Sequence, residues 1–127
     1  MKDEMKSLVS FYKSIVDQEC SPIVICNLEH QIIYMNPNAV ENYVNRGGDK
    51  LLGKNIFNCH NQKSAEKMQQ IVDWFAADEN HNIVFLHHDD MKNKDLYMVA
   101  LRDEGKLIGY YEKHEYRNAE IMKAYDL

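Results

Sequence analysis

The sequence predicts an α+β fold, with a five-stranded antiparallel sheet, short helices on one face and an N-terminal amphipathic helix. Apolar residues recur at helical spacing over residues 3–19, which indicates one apolar helix face. A later apolar run stops at Asn36-Pro37, where proline lacks the N–H that a strand needs but can begin a helix. In the last third of the chain, short runs between turn residues are typical of consecutive strands. A hairpin, several helices and a three-strand meander therefore form one sheet with helices on one face.

The apolar stripe of the N-terminal helix must be buried, either on the chain's own sheet or against a partner subunit. The stripe comprises Met5, Leu8, Val9, Tyr12, Ile15 and Val16. Ser21-Pro22 ends this helix, since proline cannot continue it. We expect a homodimer with this helix at the interface.

The remaining elements are separated by residues that favour turns. Strands are predicted at 22–27, 31–36, 82–88, 95–103 and 106–116. Helices are predicted at Pro37–Val44, 63–76 and Asn118–Tyr125, with a loop at Arg46–Asp49. Ser64 is the expected cap of the long helix, and one face of that helix is apolar and should pack on the sheet. That face comprises Met68, Ile71, Val72 and Phe75.

Composition limits the classes of function. A chain of 127 residues is sufficient for one core, and we divide it into a helix at 1–20, a domain at 21–117 and a short tail at 118–127. The net charge of −5 argues against nucleic acid as a partner. No apolar run approaches the roughly 20 residues that cross a bilayer, and the N-terminus lacks the apolar region of a signal peptide. Three cysteines without a Cys-x-x-Cys pair fit a reduced, cytoplasmic setting.

The order of elements over residues 17–116 resembles the PAS domain, a small sensory fold with a ligand-sized cleft. Residues 52–64 contain Cys59-His60-Asn-Gln-Lys-Ser64 and are similar to a bacterial PAS subgroup with a Cys-His-x-x-Lys-Ser segment. Residues 99–109 contain Ala-Leu-Arg-Asp-Glu-Gly-Lys, similar to a second motif of that subgroup. The resemblance implies a stand-alone sensory or interaction module. Only ten residues follow Arg117, so we expect its output to be association with another protein, whose identity the sequence does not give.

Cys59 and His60 are the leading candidates for binding chemistry. Some PAS domains hold haem through one histidine of this helical region, so the resemblance makes His60 a candidate iron ligand in a redox or gas sensor. The alternative is that Cys59 packs as a small apolar residue and His60 braces the next helix. Flavin is not expected, because light-sensing flavin PAS domains place a cysteine three residues after the glycine, where this chain has Ile56.

A cleft is expected between the long helix and the last strands. Its predicted lining, beside Cys59 and His60, is Met68, Ile71, Val72, Phe75, Phe85, Met98 and Tyr110. Such walls favour a small apolar or planar ligand. Methionine and aromatic side chains fill cores equally well, so a ligand-free dimerisation module with a filled cleft is the alternative.

The other histidines are not expected to form a binding or catalytic site. Neighbours on a strand point to opposite faces, so His87 and His88 are not expected to bind one metal ion. His30, His81 and His114 are expected at the surface or at a sheet edge. The chain has no Gly-rich phosphate loop, no Gly-x-Ser-x-Gly and no paired-histidine helix motif, and an enzyme is therefore not expected.

Overall fold

The structure is a computed structural model that describes residues 2–118, with side chains described from residue 7 onward. The helices are α1 (Lys2–Gln18), α2 (Pro37–Asn42) and α3 (Gln62–Ala77). The strands are β1 (Val24–Asn27), β2 (Ile32–Met35), β3 (Ile83–Asp89), β4 (Lys94–Asp103) and β5 (Lys106–Tyr116). Short 3₁₀ turns span Val44–Arg46, Gly48–Leu51 and Ile56–Cys59. The helix predicted at Asn118–Tyr125 lies outside the described residues, apart from its first position.

The five strands form one antiparallel sheet in the order β2-β1-β5-β4-β3. The predicted fold class is confirmed, and the strands lie within two residues of their predicted bounds. Helices α2 and α3 and the 3₁₀ turns cover one face of the sheet, and the core lies between these two layers. Its most deeply buried large side chains are Tyr110, Phe75, Met98, Asn36 and Cys26.

Asn36 explains why the chain changes from strand to helix at this point. Its Oδ1 accepts hydrogen bonds from the backbone N–H groups of Ala39 and Ile23, each at 2.9 Å. Its Nδ2 donates to the carbonyls of Val16 and Ser21, each at 3.0 Å. Because all four bonds satisfy a side chain with no exposed surface, Asn36 both caps α2 and joins it to α1 and to the segment between α1 and β1.

The chain that follows Asn36, up to Leu51, differs in detail from its predicted secondary structure. The helix expected at Pro37–Val44 ends at Asn42. The loop expected at Arg46–Asp49 is a pair of 3₁₀ turns, which meet where Gly47 and Gly48 both have positive φ.

The cap predicted for α3 is wrong by three residues. Asn61 is the N-cap, and its Oδ1 accepts from the backbone N–H of Ser64 at 2.8 Å. Asparagine and serine are both good caps, so spacing to the apolar stripe did not decide between them.

Arg102 fixes the other end of α3. Its guanidinium donates to the carbonyls of Phe75, Asp78 and His81, and also to Asn82 Oδ1 and the carbonyl of Gly105. These carbonyls include orphan acceptors at the helix C-terminus, where a positive charge is favourable. Arg102 thereby ties α3 to β4.

Helix α1 contacts the rest of the chain mainly through its last turn. Val16 and Asp17 are partly buried, and Asp17 accepts hydrogen bonds from Tyr34 Oη and Lys13. The apolar residues before them are exposed, with Leu8 at 49% and Tyr12 at 60%. Met5 lies outside the described side chains. The described part of the chain does not cover this stripe. Among the described residues, no helix is both long and apolar enough to cross a membrane.

Candidate functional site

A cleft between the helical layer and the inner face of the sheet contains two cavities, and His60 and Glu112 line both of them. The first has a volume of about 60 Å³ and is lined by Val24, Ile32, Met35, Tyr43, Arg46, Leu51, Ile56, Cys59, His60 and Glu112. The second has a volume of about 180 Å³ and is lined by His60, Ser64, Lys67, Met68, Ile71, Leu86, His87, Met98 and Glu112. Each is smaller than the roughly 300–1,000 Å³ of most ligand pockets.

His60 lies in extended backbone between the last 3₁₀ turn and α3. Its ring is partly buried, and among the described residues it has no hydrogen-bond partner. Burial lowers the pKa of His60 and the Arg46 guanidinium lowers it further, because both disfavour the imidazolium. Arg46 is held near by a 3.0 Å hydrogen bond from its Nη1 to the carbonyl of Cys59. His60 therefore presents a neutral imidazole to the cleft.

Glu112 supplies the acidic group of the cleft. It stands on β5 opposite Met98, on the same face as Tyr110, and it forms no hydrogen bond or ion pair with the described residues. Burial raises the pKa of Glu112, and the ammonium of Lys94 partly opposes the rise. A carboxylate in this position is poised to accept hydrogen bonds from a bound molecule.

The structure brings together most of the predicted cleft residues. Cys59 lines the first cavity, and His60 lines both. Met68, Ile71 and Met98 line the second cavity. Val72, Phe75 and Tyr110 are buried in the core beside the cleft and line neither cavity.

Phe85 was predicted on the inner face, and this is wrong. It is 56% exposed on the outer face, where its ring meets the ring of Tyr97 at 5.5 Å. The neighbours Val84 and Leu86 face inward and pack against the core. Strand alternation fixes only which residues share a face, and the wrong set was assigned to the core.

His30 was expected at the surface or at a sheet edge, but its side chain is buried. Its Nδ1 lies 2.8 Å from Tyr110 Oη, and its Nε2 lies 2.7 Å from Gln69 Oε1. Its ring stacks on Phe57 at a centroid distance of 4.2 Å. The tautomer that fits donates from Nε2 to Gln69 and accepts at Nδ1 from Tyr110. The backbone of His30 has a positive φ of 64°, which the hairpin turn between β1 and β2 requires.

His114 is also buried, contrary to expectation. Its Nδ1 accepts a hydrogen bond from Lys94 Nζ at 2.9 Å, and both side chains are shielded from solvent. Burial, reinforced by Lys94, lowers the pKa of His114 to about 4. His114 is therefore neutral near pH 7.

Of the remaining histidines, His81 and His88 behave as surface groups, while His87 is exposed but also lines the second cavity. His81 stacks on Trp74 with ring centroids 3.8 Å apart, and His88 Nδ1 lies 2.6 Å from Asp95 Oδ1. Within residues 2–118 no group of His, Cys, Asp or Glu side chains has the arrangement of a metal site.

Sequence reasoning missed Glu112, Arg46 and Tyr43. The signal for Glu112 was present, because Tyr110 was placed inward and alternation puts residue 112 on the same face. Arg46 and Tyr43 come from the α2 region, and no local pattern predicts which way such turns direct their side chains.

Comparison with solved structures decides the fold family. The chain is similar to the PAS domain of a protein from Colwellia psychrerythraea, with a TM-score of 0.63 and 15% identity over 86% of this chain and 96% of that one. It is also similar to the PAS domain of Bordetella pertussis BvgS, with a TM-score of 0.61 and 18% identity over 89% and 88%. This chain has the PAS fold.

A further PAS-fold relative is the Aer2 receptor from Vibrio cholerae, described as a dual PAS-heme oxygen sensor. The TM-score is 0.50 and the identity 17%, over 76% of this chain and 94% of that one. No protein-family model and no curated protein matches the chain. These identities establish the PAS fold, while membership of the Cys-His-x-x-Lys-Ser subgroup stays a prediction.

Proposed function

We propose that this PAS-fold chain is a sensory and interaction module, not an enzyme, that binds a small ligand in the His60–Glu112 cleft and signals by association. One observation supports the ligand most: His60 and Glu112 both line the cleft, and both lack partners in the described chain. No fully buried side-chain N or O atom of the described residues lacks a hydrogen-bond partner, so the free atoms of His60 and Glu112 are accessible from the cavities and available to a ligand.

The apolar walls set the size and character of that ligand. Met68, Ile71 and Met98 form a flexible apolar lining beside the two polar groups. The free space suits a compact molecule with an apolar or planar body. Because the net charge is −5, nucleic acid is not the proposed partner, and a cytoplasmic location is part of the proposal.

Haem held by His60 is the alternative. A partly buried, neutral imidazole without a partner has the chemistry of an axial ligand. The space does not fit, however, because cavities of about 60 and 180 Å³ are each smaller than a porphyrin. The helical layer would have to move away from the sheet before His60 could hold haem.

Native mass spectrometry of the purified protein tests the ligand. We expect an additional bound mass of small-molecule size and a colourless protein. A Soret band instead would favour haem, and titration of haem into the wild type and His60→Ala would then decide the role of His60. Identical spectra of the two proteins would exclude it as the ligand.

Association is the proposed output, and a second copy is the proposed partner. The exposed stripe of α1 continues into a hollow of about 270 Å³ between its last turn and the outer face of the sheet. That hollow is lined by Ile15, Val16, Ile25, Leu101 and Tyr111, among others. The remaining lining residues include Glu19, Ser21, Lys113 and His114, and a largely apolar surface with such a polar border is typical of an association site.

The double variant Leu8→Glu with Tyr12→Glu tests the dimer by light scattering. We expect a dimeric wild type and a monomeric variant, because two charges cannot be buried unpaired at an interface. Val44→Glu with Met91→Glu is the matched control, since both residues are exposed and apolar but lie away from α1. A wild type that stays monomeric at high concentration contradicts the proposal.

A further inference from the structure

Glu112 indicates which polar group the ligand carries, in addition to the size that the cavities set. Its carboxylate is partly buried, lines both cavities and has no donor among the described residues. Lys94, the cation that lowers the pKa of Glu112, donates its hydrogen bond to His114. No fully buried side-chain oxygen of the described residues lacks a partner, so the Glu112 carboxylate is open to the cavities, where a bound cation or N–H donor would give it a charge-assisted hydrogen bond.

The other charges around the cleft do not substitute for such a donor. Arg46 and Lys67 line the first and second cavity respectively, but both side chains are exposed and are screened by water. Glu112 lies deeper, where a charge acts through a lower effective dielectric. Glu112 is therefore the acidic group that lines both cavities, with basic side chains at the rim and the Lys94 ammonium close enough to lower the pKa of Glu112.

The lining next to Glu112 also suits a cation with an apolar body. The aromatic ring of Tyr43 lines the first cavity, and the faces of such rings attract cations. Met68, Ile71 and Met98 line the second cavity, which is the larger. We propose that the cleft takes a small organic ammonium compound, whose ammonium group binds the Glu112 carboxylate while its apolar body packs against these three side chains.

This inference rests on the proposed ligand-binding function and is tested with three probes of matched size. Benzylamine, benzyl alcohol and benzoate share one ring and differ in the charge of their polar group. At millimolar concentration we expect benzylamine to raise the Tm of the wild type by about 3 °C, and the other two to have no effect. Glu112→Gln should abolish the response, and Glu41→Gln, an exposed acid on α2, should keep it.

The outcomes separate this inference from the proposed function. If benzyl alcohol or benzoate stabilises the wild type as well as benzylamine does, the cleft binds ligands but the ammonium assignment is wrong. If Glu112→Gln keeps the benzylamine response, or if no amine raises the Tm, the role of Glu112 is overturned. An additional mass in the native spectrum would leave the ligand-binding function standing in either case.

A measurement without any probe gives an independent check. Because Glu112 is unpaired, Glu112→Gln should raise the Tm of the ligand-free protein. A lower Tm would mean that the carboxylate already has a stabilising partner within the chain, and would overturn the inference.

Discussion

His30 and His60 both contact Phe57, yet one is a closed part of the core and the other faces an open cleft. His30 stacks on the Phe57 ring, and both of its ring nitrogens have partners. His60 donates only its backbone N–H to the Phe57 carbonyl, at 3.2 Å, and its ring nitrogens have no partner in the described chain. Both rings are at least partly buried, so burial does not distinguish them. They differ in whether their ring nitrogens have hydrogen-bond partners.

This contrast teaches how to separate structural histidines from candidate ligands. A satisfied ring stabilises one conformation and has nothing left to offer a ligand. An unsatisfied ring beside an unpaired carboxylate contributes little to folding but keeps its chemistry available. Substitutions in the two regions should therefore differ in size and in kind.

The largest expected effect is that of His30→Ala. It removes the stacking on Phe57 and leaves Tyr110 Oη and Gln69 without their shared partner, so we expect a loss of about 3 kcal/mol in the free energy of unfolding. Glu104→Ala is the matched control, because Glu104 is exposed and also has a positive φ. Urea unfolding measures both, and equal losses would show that the backbone conformation, not the contacts, sets the cost.

A smaller effect is expected from protonation of His114. Its pKa is about 4 in the folded chain against 6.5 when unperturbed, so between these values the unfolded chain binds a proton that the folded chain does not. The contribution to stability is present above pH 6.5 and is lost as the pH falls through about 4, and about 2 kcal/mol of it is already lost at pH 4.5.

His114→Gln keeps an acceptor for Lys94 but cannot be protonated. Urea unfolding at pH 7 and pH 4.5 should show a smaller acid loss for this variant than for the wild type. The raised pKa of Glu112 acts in the opposite direction, and it cancels because both proteins contain Glu112. Parallel losses in the two proteins would contradict the assignment to His114.

Tyr110→Phe should cost about 1 kcal/mol, because it removes one hydrogen bond to His30 Nδ1 but keeps the buried ring. If His30 and Tyr110 act as one unit, the double variant with His30→Ala should lose less than the two single losses added together. Strict additivity would show that the pair is not coupled.

The smallest expected effect on stability is that of His60→Ala, within about 0.5 kcal/mol of the wild type. Its ring has no partner to lose in the described chain, and it lines cavities on both sides. A loss as large as that of His30→Ala would remove the distinction between the two regions. It would make His60 a bracing residue for α3.

Most of the fold could be predicted from the sequence, because turn residues and periodicity are local signals. Asn36-Pro37 marked the start of α2, and the turns around Gly105 separated the last strands. The motif at residues 99–109 was recognised by resemblance, and the structure gives it a physical meaning. Arg102 holds the end of α3, and a Cβ on Gly109 would lie 2.2 Å from the carbonyl oxygen of Cys26.

The site was predicted less completely, because its geometry depends on contacts between distant segments. Cys59 and His60 were correctly assigned to the cleft. The burial of His30 was not predicted, because its partner Tyr110 lies 80 positions away in the sequence. Phe85 was assigned to the wrong face, because an apolar residue on an edge strand can serve either side of a sheet. Glu112 was overlooked because a charged residue was not expected on an inner face.

The four hydrogen bonds of the Asn36 side chain form two pairs, which hold different parts of the chain. The oxygen accepts from Ile23, the residue before β1, and from Ala39 at the start of α2, while the nitrogen donates to the carbonyls of Val16 in α1 and Ser21 in the segment that follows it. The side-chain oxygen thus stabilises the start of the sheet and of α2, and the side-chain nitrogen fixes the position of helix α1. Loss of the two donor bonds alone would leave α1 held by the hydrogen bond from Tyr34 Oη to Asp17, while the cap of α2 stays intact.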